Sequence, residues 1–270
     1  MSAVLTTLLD RLLVDRPPTG AEADAAVRRH RGHRASWYAS CVGPLAVPDT
    51  ALAATGRAAA GSAPLDVAVL NTSGAGGLTA LAGRSTPGLR VVAVESALRD
   101  LDDLAGNAAR VVAAALALDD VAVTVGLPDA PGWVRAVEVV EAAGLRAGVA
   151  CDADAWRNPA AAGRLAERLS VLVEADLPFS LAPGTLPAPG RALASLAMLV
   201  EALVDGAEPE EASELLLVED ATRLRSGLGR WDEPTAHRVR RRLLSVGTEV
   251  GTTVDDLVAL GLLTPPAPEH

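Results

Sequence analysis

Short apolar segments alternate with longer helical segments along the chain, and this alternation limits the possible folds more than any other feature. Each apolar segment has the length of a buried strand, and apolar residues recur at helical spacing between them. The pattern predicts eight strands, at residues 43–48, 66–71, 89–95, 120–126, 145–151, 177–182, 214–219 and 243–248. It predicts helices at residues 101–118, 133–143, 160–174 and 191–204.

Eight strands, each followed by a helix, in a chain of 270 residues predict a (β/α)8 TIM-type barrel, an α/β fold. Helices predicted at residues 4–13 and 22–29 precede the first predicted strand and would cap the barrel. The alternative is a doubly wound, Rossmann-like open sheet, which has the same alternation. Because no linker divides the chain, we predict one domain over residues 1–265 and a disordered tail at 266–270.

The charged residues exclude several classes of function. The formal net charge is −10, so nucleic acid, which requires a basic surface, is not an expected partner. All 24 basic residues are arginine. Without lysine the chain cannot form a Schiff base with a carbonyl substrate or with pyridoxal phosphate, and it cannot build a P-loop.

Two separated cysteines, Cys41 and Cys151, and four histidines form no zinc-binding motif. We therefore predict no metal and no cofactor. The N-terminal segment contains acidic residues and no basic leader, and no apolar run reaches the length of a membrane span. We expect a cytoplasmic protein without a membrane partner. The alanine-rich helix at 101–118 could form a homodimer contact or pack on the barrel.

The segment NTSGAGGLTALAG, residues 71–83, follows an apolar run and precedes a helical pattern. A dinucleotide-binding loop carries GxGxxG in this position and an acidic residue on the next strand. Gly74 and Gly76 supply the first two glycines and Glu95 the acidic residue, but the third glycine is missing. The segment is therefore either a dinucleotide site or a turn between a strand and a helix.

In a barrel of this type, functional side chains gather at the carboxyl ends of the strands. The polar candidates at these ends are Asn71, Glu95, Thr124, Cys151, Asp152, Ser180 and Glu219. Glu95, Asp152 and Glu219 are the candidate catalytic carboxylates, because acid–base chemistry needs carboxyl groups in different environments. Asn71, Thr124, Cys151 and Ser180 are the candidate ligand-binding side chains. The same residues could instead cap helices, and Cys151 could be an inert buried thiol.

The whole chain also resembles a family of uncharacterised barrel proteins found in actinobacteria and plants. VDRPP at 14–18 is similar to the family's DYAGLFPPA, and VGPLAVPDTAL at 42–52 is similar to its LGxxVVPxxxL. VGTEVGTTVDDL at 246–257, followed by LGLL at 260–263, is similar to its FGSCSFxEPxxDLxxLGLL. The resemblance implies a barrel fold.

The departures from the family concern its charged residues. The family motif KxRxGG corresponds to GVACDA at 148–153, and FKxTAGLHHP corresponds to FSLAPGTLP at 179–187. Gly126 stands where a carboxylate is expected on the fourth predicted strand. The resemblance therefore implies a divergent member of the family, a candidate pseudoenzyme, that has lost the charged groups of its relatives.

Three functions follow as hypotheses. The first is a protein that binds an unknown small molecule, or an interaction component, without the charged site of its relatives. The second is an enzyme of the lyase, isomerase or hydrolase type with a rebuilt acidic site at the carboxyl face. The third is a dinucleotide-binding protein that uses Gly74, Gly76 and Glu95. Whether the protein is an enzyme stays open at this level.

Overall fold

The computed structural model describes residues 2–183, 186 and 188–267, and its strands form a closed parallel barrel. The strands follow one another around the barrel in chain order, and the last pairs with the first. They are β1 (Leu13–Asp15), β2 (Val42–Pro48), β3 (Leu65–Asn71), β4 (Leu89–Ala97), β5 (Ala122–Leu127), β6 (Arg146–Cys151), β7 (Phe179–Pro183) and β8 (Leu243–Thr248). The prediction of a (β/α)8 barrel is confirmed, and the open-sheet alternative is wrong.

Helices surround this barrel and connect its strands. They are α1 (Ala3–Leu9), α2 (Ala23–Arg34), α3 (Leu52–Ala59), α4 (Gly74–Ala82), α5 (Leu104–Ala115), α6 (Trp133–Ala142), α7 (Pro159–Glu174), α8 (Pro189–Val204), α9 (Pro209–Ser213), α10 (Ala221–Gly229), α11 (Glu233–Arg242) and α12 (Val250–Ala259). The predicted helices at 101–118, 133–143, 160–174 and 191–204 correspond to α5, α6, α7 and α8, so these four predictions are confirmed.

Two of the predicted strands need correction, although the number eight is right. The first strand is β1, which was not predicted; it begins at Leu13, the last residue of the predicted helix at 4–13. Leu5, Leu8 and Leu12 are spaced as on a helix, and a strand of three residues is too short to show alternation. The predicted strand at 214–219 is instead a 3-10 helix, Glu214–Leu217, which packs against α7 and α8.

The prediction of two capping helices is correspondingly half wrong. Of the two, only α1 precedes the barrel, and it packs against α11. The second, α2, follows β1 and connects it to β2, as a helix of the barrel does. The predicted disordered tail at 266–270 includes residues 268–270, which lie outside the described residues.

The two faces of each strand carry side chains of different size. Successive residues of a strand point to opposite faces of a sheet. On β3 to β5 the outward positions hold Val67, Val69, Val94 and Val125, all 0% exposed beneath the helices. The inward positions of the barrel hold mostly alanine, glycine, serine and proline. The hydrophobic core therefore lies between the barrel wall and the helices.

Among the described residues, no helix combines the length and the apolar character needed to cross a membrane.

Closure of the barrel depends on the short strand β1, which pairs with β2 on one side and β8 on the other. Leu13 is 0% exposed, so we expect Leu13→Ala to lower the free energy of unfolding by about 2–5 kcal/mol. Leu116, at the end of α5, is 83% exposed, so Leu116→Ala should change the free energy of unfolding by less than about 0.5 kcal/mol. Urea unfolding of both variants measures the difference. Equal, small effects would contradict the closure of the barrel through β1.

Candidate functional site in the barrel lumen

The interior of the barrel contains a cavity with a volume of about 290 Å³, which we call the lumen cavity. Every strand contributes to its lining, in chain order Val14, Pro44, Ala68, Ala93, Thr124, Arg146, Ser180 and Ser245. Barrels of this fold are normally filled by layers of large branched side chains. Here the small inward side chains leave the cavity instead.

Three of the predicted site residues meet in the lumen cavity. Glu95, Thr124 and Ser180 all line it, from β4, β5 and β7. Glu95 and Thr124 are directly paired in the register of their strands. The Ser180 hydroxyl accepts a hydrogen bond of 2.9 Å from the hydroxyl of Ser245 on β8. A carboxylate and three hydroxyl groups therefore face the same space.

An ion pair crosses the lumen. The Arg16 guanidinium, directly after β1, donates a hydrogen bond to the Glu95 carboxylate on β4. The two side chains are 27% and 30% exposed. Gly247 on β8 makes room for this arrangement, because a Cβ atom there would overlap Arg16 Nε. Arg16 also lines a second cavity, under the β1–α2 loop, and so it lies between the lumen cavity and the carboxyl-terminal mouth of the barrel.

A buried polar group behind the wall holds the end of β1. Asp15 is 0% exposed and points away from the lumen, and its Oδ2 lies 2.9 Å from His30 Nδ1 on α2. Arg29 Nη2 of the same helix lies 3.7 Å from Asp15 Oδ1. Buried carboxylates need such partners, because an unpaired charge is costly away from water. This contact fixes the strand residue that directly precedes Arg16.

Asn71, a predicted ligand-binding residue, points outward from β3 and organises the β3–α4 loop. Its Nδ2 donates to the carbonyl of Gly74 at 2.7 Å and to the hydroxyl of Ser96 at 2.9 Å. Its Oδ1 accepts from the backbone N–H of Ser73 at 3.1 Å. Gly77 packs directly on this amide, since a Cβ atom there would overlap Asn71 Oδ1.

The glycines of this segment therefore have a structural role. Gly74, with a φ of 61°, begins α4, and Gly76 lies in the first turn of that helix. Glu95 faces the lumen, on the opposite side of the strand wall from α4 and Asn71. Since Glu95 does not face the glycine loop, the arrangement favours the turn over the dinucleotide site.

The other predicted site residues lie outside the lumen. Cys151 and Asp152 line a separate cavity of about 470 Å³ at the end of β6. Burial raises the pKa of the Cys151 thiol to about 12, although the positive charge of the nearby Arg168 guanidinium lowers this pKa in part. Glu219 is exposed and follows a 3-10 helix, so the reasoning that placed it at the end of a barrel strand is wrong. The three predicted catalytic carboxylates do not line one cavity.

Arg168 forms the wall beside Cys151. It donates to the carbonyls of Leu127 at 2.8 Å and Ala150 at 3.3 Å, and its guanidinium lies 5.3 Å from the centre of the Trp133 ring. These contacts tie α7 to the ends of β5 and β6. The residue therefore has a structural function in this wall.

The sequence reasoning missed Arg16, Arg146 and Ser245. Arg16 follows directly on β1, a strand that the sequence pattern did not show because Leu13 continues the helical spacing of Leu5 and Leu9. Arg146 and Ser245 lie at the beginnings of their strands, where the fold gives no reason to expect functional groups.

Comparisons with protein-family models, with curated proteins and with solved structures find no match to this chain. In the described part of the chain, no group of three or more His, Cys, Asp or Glu side chains is arranged to hold a metal ion.

The neighbouring glycines of α4 offer a matched test of the loop. Gly77→Ala should destabilise the protein by about 1–3 kcal/mol, because the added methyl group overlaps the Asn71 amide. At Gly76 nothing lies within 4 Å of an added Cβ atom, so Gly76→Ala should stabilise the helix by about 0.5–1 kcal/mol. Thermal unfolding compares the two. Equal effects would show that Asn71 does not organise this loop.

The raised pKa of Cys151 predicts low reactivity. With a pKa of about 12, roughly one thiol in ten thousand is ionised at pH 8. Since roughly a quarter of free thiols are ionised at this pH, iodoacetamide should alkylate Cys151 in the folded protein at least about a hundredfold more slowly than in the unfolded chain. Mass spectrometry of tryptic peptides follows both reactions. Equally rapid labelling of the folded and unfolded chains at pH 8 would contradict the half-buried, neutral thiol.

Proposed function

We propose that the protein binds a small molecule inside the barrel, in the lumen cavity. The observation that carries this proposal is the cavity itself, in a position where barrels of this fold are normally filled. A cavity lined by apolar surface with a few converging polar groups is typical of ligand sites. The polar groups here include the predicted residues Glu95, Thr124 and Ser180, and the lining also contains the side chains of Arg11, Arg16, Arg146 and Ser245.

The size of the cavity supports a small ligand. Its volume of about 290 Å³ lies just below the range of roughly 300–1,000 Å³ that is usual for ligand pockets. A dinucleotide is too large for it. A small metabolite that makes contacts on all sides is the better match.

An enzyme with a rebuilt acidic site is less well supported. Glu95 lines the lumen cavity, Asp152 lines the outer cavity at the end of β6, and Glu219 lines neither. An acid and a base that act on one substrate must both lie within reach of it. The sequence resembles a barrel family but has lost the charged groups of that family. A protein that binds a ligand without catalysing a reaction is consistent with this loss.

Filling the cavity tests the proposal. Ala93 lies on β4 and lines the lumen, so Ala93→Phe places a ring in the binding space. Ala113→Phe makes the same change on the exposed face of α5, away from the lumen, and serves as the control. Ligand-observed NMR with a mixture of small acids, amides and alcohols measures binding to each protein. We expect compounds to bind the wild type and Ala113→Phe, and this binding to be lost in Ala93→Phe.

Unchanged binding in Ala93→Phe would place the ligand outside the lumen and overturn the proposal. Binding of no compound to the wild type would also count against it. Circular dichroism of both variants confirms that the barrel remains folded.

A further inference from the structure

We infer that the ligand of the lumen is a small carboxylic acid with an apolar body, whose carboxylate is held by Arg146 and by hydroxyl groups of β5, β7 and β8. This inference rests on the proposed function and adds the chemical class and the orientation of the ligand.

One side of the lumen carries polar side chains from the four consecutive strands β5 to β8. They are Thr124, Arg146, Ser180 and Ser245, which we call the donor wall; Ala122, Leu181, Leu244 and Gly247 of the same strands also line the cavity. Thr124 is the direct neighbour of Arg146 in the register of their strands. Ser180 and Ser245 are paired in the same way and joined by their hydroxyl groups. No carboxylate from β5 to β8 lines the cavity, so this wall offers a guanidinium and hydroxyl donors to an anion.

The charges in the lumen are mostly positive. In the described part of the chain, Arg11, Arg16 and Arg146 line the cavity, and Glu95 is the one carboxylate that does so. Glu95 is bound to Arg16, and Arg11 lies 3.4 Å from Asp66. Among the described residues, Arg146 forms no ion pair within 4 Å. A net positive cavity in a chain of formal charge −10 concentrates small anions.

The opposite wall of the lumen is largely apolar. The strands β1 to β4 present Val14, Pro44, Ala68 and Ala93 to the cavity, and these side chains have no polar atoms. The charged exceptions on this side are the Arg16–Glu95 pair and Arg11, which precedes β1 and is paired with Asp66. A ligand that spans the lumen therefore meets donors on one side and apolar surface on the other, as an acid with a hydrocarbon body requires.

The position of Arg146 gives the direction of binding. Arg146 is the first residue of β6 and is exposed, so it lies at the amino-terminal end of the lumen. The Arg16–Glu95 pair lies toward the carboxyl-terminal mouth, beyond which the next cavity begins. The ligand carboxylate is therefore oriented toward the amino-terminal end of the barrel, and its apolar body lies against the apolar side chains of β1 to β4, below the ion pair.

Three probes of similar size separate the contribution of the ligand's charge from that of its aromatic ring. Benzoate carries one negative charge, benzamide is its neutral counterpart, and phenyl phosphate carries a larger charge on the same ring. Isothermal titration calorimetry gives the dissociation constant of each. Because charge-assisted hydrogen bonds are the stronger ones, we expect benzoate to bind at least about tenfold more tightly than benzamide. Benzoate should also bind more tightly than phenyl phosphate, since the donor wall has one cation.

Arg146→Gln tests the assigned cation. It should weaken benzoate binding by about tenfold or more and change benzamide binding by less than about twofold. Arg146→Lys keeps the charge but loses the forked pair of donors, so its affinity for benzoate should be intermediate. Arg135→Gln, on the exposed face of α6, makes the same change outside the lumen and should leave all affinities as they are.

The failure of this inference differs from the failure of the proposed function. Equal affinity for benzoate and benzamide, or unchanged benzoate binding in Arg146→Gln, would show that the ligand is not a carboxylic acid held by Arg146. The lumen site would still stand if Ala93→Phe abolishes binding. If phenyl phosphate binds more tightly than benzoate, the carboxylic acid is the wrong ligand class and the lumen binds a phosphate group instead. Binding of no probe, or binding that Ala93→Phe leaves intact, would contradict the lumen site itself.

Discussion

The size of the inward side chains is the constraint on which the rest of this structure depends. A parallel barrel of eight strands encloses a fixed space, and large residues on the inner face would fill it. In this chain the inner face carries residues such as Ala68, Ala93 and Gly247, which leave a cavity of about 290 Å³. Hydrophobic packing is therefore concentrated outside the barrel, between its wall and the helices. The stabilising core and the proposed binding site therefore lie on opposite faces of the same strands.

The end of β1 joins these two faces. Asp15 points outward and is held by His30, and the next residue, Arg16, points inward to Glu95. Because the strand has only three residues, the outward contact determines where the inward arginine can lie. The buried polar group therefore supports the ion pair that bounds the lumen, although it has no contact with the cavity. Glu95 is in turn the direct neighbour of Thr124 in the register of β4 and β5.

Much of the fold could be predicted from the sequence because its signals are local and periodic. The strands β2 to β6 and the helices α5 to α8 have apolar patterns long enough to show their period. The strand β1 does not, and its residues continued a helical pattern that begins at α1. The segment at 214–219 is apolar because it packs on α7 and α8, and an apolar run of that length does not distinguish a strand from a buried helical turn.

The site was less predictable than the fold, and for a different reason. Glu95, Thr124 and Ser180 were predicted from their strand positions, and they line one cavity. Asn71 was predicted by the same reasoning, but it points to the other face of its strand, because each step along a strand reverses the side-chain direction. Arg16 and Arg146 depend on the closure of the barrel, which brings β1 opposite β4 and places β6 beside β5. Such contacts between distant residues are absent from local sequence patterns.

The most direct measurement is a crystal structure of the protein soaked in 4-bromobenzoate, with anomalous diffraction at the bromine absorption edge. The account predicts an anomalous peak on the barrel axis, between the donor wall and the Arg16–Glu95 pair, and carboxylate density beside the Arg146 guanidinium. A bromine peak elsewhere on the protein, or a lumen closed by its own side chains, would contradict it.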